Sequence, residues 1–307
     1  MHNVEADTDV LLFYGVYDIK QLLISDNNLI PCIFENKDPW KHEIQIYKCL
    51  HNLILGSSNN EHKIFGLFSS SLLERTSLDS KIIKKTINEN DNEIFIFSPS
   101  QYNFFIYYNF WDQAEVWHKG IVDEIKIIYS LKDDFPSIDT HTRTSKTGFS
   151  YCNYWAAKKN SFIKIVDNMI TLEKIMLKNC LGNKETYWKS PIEEKFNAVF
   201  KKDYKLFPFI VERYISSLLL DSKNNIEEEI FYWNDNRHPL EQVEKIKGLK
   251  DVLKNPITRG YEHFLKGTIF KDKKDFYEKI WFLDDIEKLD KVIPGGGRRL
   301  RNLAKIN

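Results

Sequence analysis

The sequence predicts an α/β fold: a mostly parallel, Rossmann-like sheet flanked by helices, followed by a helical C-terminal extension. Three observations carry that expectation. Short apolar runs alternate with amphipathic stretches through the first 130 or so residues, as strand–helix–strand units require. Beyond about residue 224 the text turns charged and helical in pattern. The chain has 307 residues with 42% hydrophobic content, enough for one large core or two smaller ones.

Each element has its own signal. Residues 9–18, DVLLFYGVYD, form a short apolar run and read as a first buried strand. In 38–55, Ile44, Tyr47, Leu50 and Ile54 make one helical stripe, with Asp38-Pro39 as a start signal. HKIFGLFSSS reads as the second strand, and SLDSKIIKKTINEN as an amphipathic helix behind a Ser/Asp cap. NEIFIFSPSQ is the third strand, broken by Pro99. A dense aromatic and polar block, FFIYYNFWDQAEVWHKG, precedes a helix at 121–134 and a loop at 135–148. SYCNYWAAKK then reads as a strand leading into a long helix from Asn160 to about Lys178, and FPFIVERYISSLLL as a later apolar helix. A boundary near Trp233 divides the expected α/β domain, 1–232, from the extension, 233–307. The extension ends in IPGGGRRLRNLAKIN, a glycine hinge before Arg298, Arg299, Arg301 and Lys305.

Composition excludes several classes. Lys plus Arg and Asp plus Glu both total 44, so the broad basic bias of a nucleic-acid binder is missing. The four cysteines have no CxxC or metal-type spacing, which points to a reducing compartment. The first residues are polar and acidic, unlike a signal peptide. No apolar run reaches the roughly 20 residues of a membrane span. A cytoplasmic protein is expected. The sequence contains no Walker A, GxGxxG, GxSxG or HExxH motif.

In a parallel α/β sheet, ligands gather at the carboxyl ends of the strands. Tyr14 and Tyr17, Ser69 to Ser71, and Ser98 to Gln101, with Ser100 among them, would share that rim. Trp111 could stack on a sugar or base, and Gln113, Glu115 and His118 could hydrogen-bond to hydroxyls or phosphate. Glu115 and His118, at i and i+3, would share a helical face. The plainer reading of the same block is an amphipathic helix with its aromatics turned inward.

Taken in order, these blocks resemble bacterial glycosyltransferase-like proteins of the GT-A type from capsule and lipopolysaccharide synthesis, including the DUF4422-related group. The resemblance runs from roughly residue 10 to 225. It rests on Glu43 to Tyr47 as E-x-x-x-Y, Gly66-Leu67-Phe68, and the strand NEIFIFSPS. It continues with Asn109, Trp111, Gln113, Glu115, His118 and Gly120 as N-x-W-x-Q-x-E-x-x-H-x-G. Cys152-Asn153-Tyr154 through Lys158, then Pro208, Phe209, Glu212, Arg213 and Ser216, complete the order.

The resemblance implies transfer of a sugar from a nucleotide-sugar donor to a glycan or lipid-linked acceptor. It implies Asn153 and Tyr154 at the sugar pocket, and Glu212 facing the acceptor as the base, with Glu115 and His118 as further catalytic candidates. The alternative for Glu212 is a structural ion pair with Arg213. Many proteins of this type hold Mg²⁺ or Mn²⁺ on an Asp-x-Asp, but here the corresponding strand ends in Ser98-Pro99-Ser100. No metal ligand is therefore assigned, and Arg213, Lys158 and Lys159 are the candidates for balancing phosphate charge, with solvated surface lysines the plainer reading of the last two. The same gap supports a second reading, a glycan- or nucleotide-binding module or scaffold without catalysis. The basic tail offers either peripheral contact with an anionic bilayer at the inner face of the membrane or a solvated, disordered end.

Overall fold

The computed structural model describes residues 9–16, 28–33, 43–56, 63–69, 72–133, 135–179, 206–220, 230–243 and 249–305. They divide into two compact units, neither continuous in sequence. The first comprises 1–99, 150–177 and 224–234, and the second 100–149, 178–223 and 235–307. Residues 235–307 thus belong to the same compact unit as 100–149.

The first unit carries every strand of a six-stranded sheet: β1 (Val10–Val16), β2 (Ile30–Ile33), β3 (Ile64–Phe68), β4 (Ile94–Ile96), β5 (Trp155–Lys158) and β6 (Ile230–Tyr232). Their spatial order is β2-β1-β3-β5-β4-β6. The pairs β1–β2, β1–β3 and β4–β6 are parallel, and β5 runs antiparallel between β3 and β4. The α/β class is as expected. The sheet is mixed, because a single strand is reversed.

Period-2 alternation sends successive side chains to opposite faces, and here both faces are apolar and covered. One face gathers Val10, Leu12, Phe68, Phe95, Phe97, Tyr154 and Ala156 under α2 (Leu72–Thr76) and α3 (Ser80–Asn88). Asp79 caps α3, its carboxylate accepting from Ile82 N at 2.8 Å. On the other face, Trp155 stacks on Tyr47 of α1 (Ile44–Leu55), with centroids 5.5 Å apart, and meets Phe162 of α7 (Lys159–Asn179) at 5.3 Å. The stripe Ile44, Tyr47, Leu50 and Ile54 is buried, as its spacing demands.

Gly66 sits opposite Ala156 on the antiparallel pair. A Cβ there would lie 2.8 Å from the Phe68 ring and 3.0 Å from the Ala156 Cβ, so the close strand approach requires glycine.

Among the described residues the second unit is helical. It contains α4 (Asn103–Ile106), α5 (Phe110–Trp117), α6 (Ile121–Tyr129) and α8 (Leu206–Leu220). It also contains α9 (Lys250–Leu265), α10 (Lys273–Ile280), α11 (Leu283–Val292) and α12 (Gly296–Ala304). The buried Asp112 of α5 ties two of these together. Its carboxylate accepts from Lys273 Nζ at 2.5 Å and from Tyr277 Oη at 2.8 Å, both on α10. Burial raises its pKa despite those partners.

The C-terminal stretch is a packed helix, α12, rather than the solvated, disordered end that one reading of the sequence expected. Leu300 and Ala304 are 0% and 2% exposed, and Arg299 donates to Val116 O at 3.1 and 2.7 Å and to Pro294 O at 3.1 Å. The supposed hinge is a tight contact, because a Cβ on Gly297 would lie 2.3 Å from Ile286 O. Only Arg298, Arg301 and Lys305 of the four cations remain turned outward, and Arg301 is 4.0 Å from Asp290.

Candidate functional site

The carboxyl ends of the parallel strands share one edge of the sheet with the amino end of β5, because β5 is reversed. Register places Leu67 and Ile96 on either side of Trp155, and Phe97 N donates to Tyr154 O at 2.8 Å. That edge therefore gathers Tyr14 to Val16, Phe68-Ser69, Phe97-Ser98, Cys152 to Tyr154, and Trp233-Asn234. It includes the switch point of the sheet: β2 lies on one side of β1, and β3 on the other. The connections diverge there, and open α/β sheets bind ligands at that place.

The Cys152-Asn153 turn is the unusual feature of this rim. Both residues have left-handed backbones, with φ of 65° and 51°, which asparagine tolerates better than cysteine. Such conformations cost about 1–3 kcal/mol each and persist where surrounding contacts hold them. Tyr47 Oη donates to Asn153 O at 3.4 Å, Trp155 N donates to the same oxygen at 3.1 Å, and Arg75 Nη1 donates to Cys152 Sγ at 3.3 Å. Asn153 is 7% exposed, yet its Oδ1 is buried with no partner among the described residues. A buried acceptor left without a donor costs about 1–3 kcal/mol. A ligand donor at this edge would relieve that cost.

The neighbouring candidates on the rim are engaged within the fold. The Tyr154 hydroxyl bonds to Ser69 Oγ, burial pushes its pKa well up, and the ring is buried. Ser98 Oγ accepts from Tyr151 N at 3.1 Å. Tyr14 is buried at the carboxyl half of β1. Tyr17 lies outside the described residues. Lys158 and Lys159, expected to meet phosphate, stand at the opposite edge. Lys158 pairs in register with Ile64 at the amino end of β3, and its Nζ holds Asp91 at 2.8 Å and Glu93 at 3.0 Å.

Ser100, Trp111, Gln113, Glu115, His118, Glu212 and Arg213 all belong to the second unit, where several have other work. Trp111 is 2% exposed and packs on Phe110, with centroids 4.2 Å apart, so its ring cannot stack on a ligand. Glu115 accepts from Gly120 N through both oxygens, at 2.9 and 3.0 Å, and from Val122 N at 3.5 Å. It caps α6, whose first amides lack helical partners, and burial raises its pKa. His118 ends α5 with φ −131°, off the helical path, so it does not share a face with Glu115 through helical spacing. Its ring stacks on Phe209, with centroids 3.6 Å apart. Burial, then the charges of Arg213 and Arg299, hold its pKa well below the usual value. Ser100 O accepts from Asn103 Nδ2 at 2.9 Å at the start of α4.

Arg213 is 1% exposed and donates to Gln113 Oε1 at 2.7 Å and to Phe209 O at 3.2 Å. Glu212 stands 3.8 Å from Arg213 Nη1 with its side chain 22% exposed. Glu212 lies inside α8 (Leu206–Leu220) rather than ahead of it.

One cluster gives no sequence signal. Asp235, three residues beyond the end of β6, accepts Arg237 Nε at 2.9 and 3.1 Å and Nη2 at 2.5 Å, while its own amide donates to Gln101 Oε1 at 3.3 Å. WNDNRH reads as an ordinary polar turn until β6 is recognised. Among the described residues no group of three or more His, Cys, Asp or Glu is placed to hold a metal. No described helix is long and apolar enough to cross a membrane. Comparison with family models, curated proteins and solved structures returns no match.

Proposed function

We propose that the chain is a glycosyltransferase of the GT-A type in surface-polysaccharide or lipopolysaccharide synthesis. It binds a nucleotide-sugar donor at the carboxyl rim of the sheet and passes the sugar to a glycan or lipid-linked acceptor on the cytoplasmic side. The Cys152-Asn153 turn supports this best: a left-handed pair at the switch-point rim, with an amide oxygen buried and unsatisfied. A base N–H or a ribose or sugar hydroxyl is the kind of donor that oxygen lacks. The resemblance gives deprotonation of the acceptor to Glu212, whose carboxylate stands 3.8 Å from Arg213 Nη1. Mg²⁺ or Mn²⁺, where the reaction uses one, would enter with the diphosphate.

Thermal unfolding against a panel of nucleoside diphosphates and nucleotide sugars tests the binding step, since a ligand specific to the folded state raises the midpoint with dose. Asn153→Ala should weaken the active ligand roughly tenfold, about 1.4 kcal/mol, and leave the far-ultraviolet spectrum unchanged. Silence across the whole panel would sink the reading. The commitment of Glu115 and His118 to structural contacts favours a second reading, a nucleotide- or glycan-binding module without transfer. Glu212→Gln separates the two. Donor binding retained with transfer lost indicates the enzyme, whereas binding in a wild type that transfers to no acceptor indicates the module.

A further inference from the structure

Arg143 lies in the segment between α6 and β5, which the glycosyl-transfer reading does not use. Its guanidinium carbon is 4.9 Å from the ring centroid of Phe104, 4.8 Å from Phe270 and 4.6 Å from Phe276. Three rings, from α4, from the turn before α10 and from α10 itself, hold one cation. Contacts of this kind are worth about 0.5–2 kcal/mol each, so the orientation of the group is set in advance.

Among the described residues no anion pairs with this cation and no acceptor takes a hydrogen bond from it, and its Nη1 is buried with no partner. The groups that bear on it electrostatically are two phenols, Tyr108 and Tyr277. Tyr277 is committed, donating its hydroxyl to Asp112. Tyr108 is partly exposed and stands edge-on to Phe276 at 5.7 Å, and its hydroxyl makes no hydrogen bond to a described residue. A guanidinium removed from water without an acceptor is costly. Its planar fork fits a carboxylate or phosphate through two parallel hydrogen bonds, and phenyl walls strengthen such bonds by excluding water.

The geometry points to an oxyanion subsite, in which Arg143 takes two oxygens of a ligand carboxylate or phosphate while the Tyr108 hydroxyl donates beside it. Burial lowers the Arg143 pKa to about 10, the direction for a cation held from water, and a bound anion would reverse that shift. The subsite stands independently of sugar transfer, because its readout is equilibrium binding. If the three rings are the whole purpose, Arg143 is a pin that fastens the loop.

Unfolding midpoints of the wild-type chain, read at fixed ionic strength in sodium chloride, decide between these. Sodium phosphate and sodium glucuronate are the two probes, and glucose is the neutral control. A saturable rise with phosphate or with glucuronate, and none with glucose, is expected. The arm that responds identifies the oxyanion. Arg143→Lys keeps the charge over the rings and loses the fork, so the apparent affinity should fall roughly tenfold or more. Tyr108→Phe should weaken it by less.

Because a change at a residue packed on three rings can unfold the loop, a second measurement uses the unaltered chain. Phenylglyoxal modification of Arg143, followed by mass spectrometry, should slow in the responding anion and not in glucose. No rise with either anion, or an equal rise in wild type and in a folded Arg143→Lys, overturns the subsite. So does modification at the same rate with and without the anion.

Discussion

A single hydrogen on Gly66 sets how closely β3 approaches β5. Phe68, the first group a methyl would strike, is held between Phe97 at 6.1 Å and Tyr154 at 5.9 Å, so it has little room to yield. Gly66→Ala should therefore cost about 1–3 kcal/mol, read as a lower urea midpoint at unchanged slope. His118 offers a pH-dependent counterpart in the second unit. Its folded pKa lies well below its ordinary value, so on acidification the unfolded chain takes up the proton first. Stability then falls as pH drops through about 6.5, by up to about 1.4 kcal/mol per pH unit. Glu115 and Asp112, raised by burial, act in the opposite sense, so the wild-type profile alone mixes the two. Subtracting the profile of His118→Phe, which keeps a ring against Phe209, isolates the histidine. Parallel profiles from pH 7.5 to 5 would show that His118 titrates normally.

At the scale of elements, α12 is fastened to α5 by one side chain. Arg299 caps the Val116 carbonyl near the end of α5, where carbonyls have no helical partner and a cation is favoured. Arg299→Ala should cost about 1–3 kcal/mol, and Arg299→Lys less. Unchanged melting in both would mean that Leu300 and Ala304 hold the helix alone. The same helix shows what the sequence conceals. Leu300, Leu303 and Ala304 have the i, i+3, i+4 spacing of an amphipathic helix, but periodicity cannot say whether protein or lipid covers the apolar side. Strand periodicity was legible for β1, β3 and β4, where long apolar runs are bounded by polar turns. It failed for β2, whose residues are mostly exposed, and for β6, which lies where the sequence turns charged and helical in pattern. The block around Trp111 misled for a related reason: aromatics beside polar groups look alike whether they line a cleft or pack a helix with its caps. Asn153 entered the sequence reading only through the resemblance, and its left-handed backbone and buried Oδ1 are visible only in the fold.

At the scale of the molecule, the two units are interleaved along the chain. Ending the protein at residue 232, the boundary that composition suggests, removes Lys273 and Tyr277 from Asp112 and Arg299 from Val116. The buried Asp112 would then be stranded, which costs about 3–5 kcal/mol by itself. A fragment of residues 1–232 should accordingly lack the near-ultraviolet signal of a packed second unit and expose its aromatics to dye. A cooperative melt and a sharp near-ultraviolet spectrum from that fragment would refute this expectation.

The reversed β5 also bears on the order in which the chain can acquire its structure. At a synthesis rate of about 5–20 residues per second, β1, β3 and β4 emerge from the ribosome well before Trp155, yet β3 and β4 touch each other only through it. Until that strand arrives β3 has an unpaired edge, and β4, whose other neighbour β6 comes later still, is unpaired on both sides; such edges pair with other chains. Long-range pairing of this sort is slow to nucleate. Trp155 to Lys158 are therefore the residues whose arrival closes the exposed edges of β3 and β4 together.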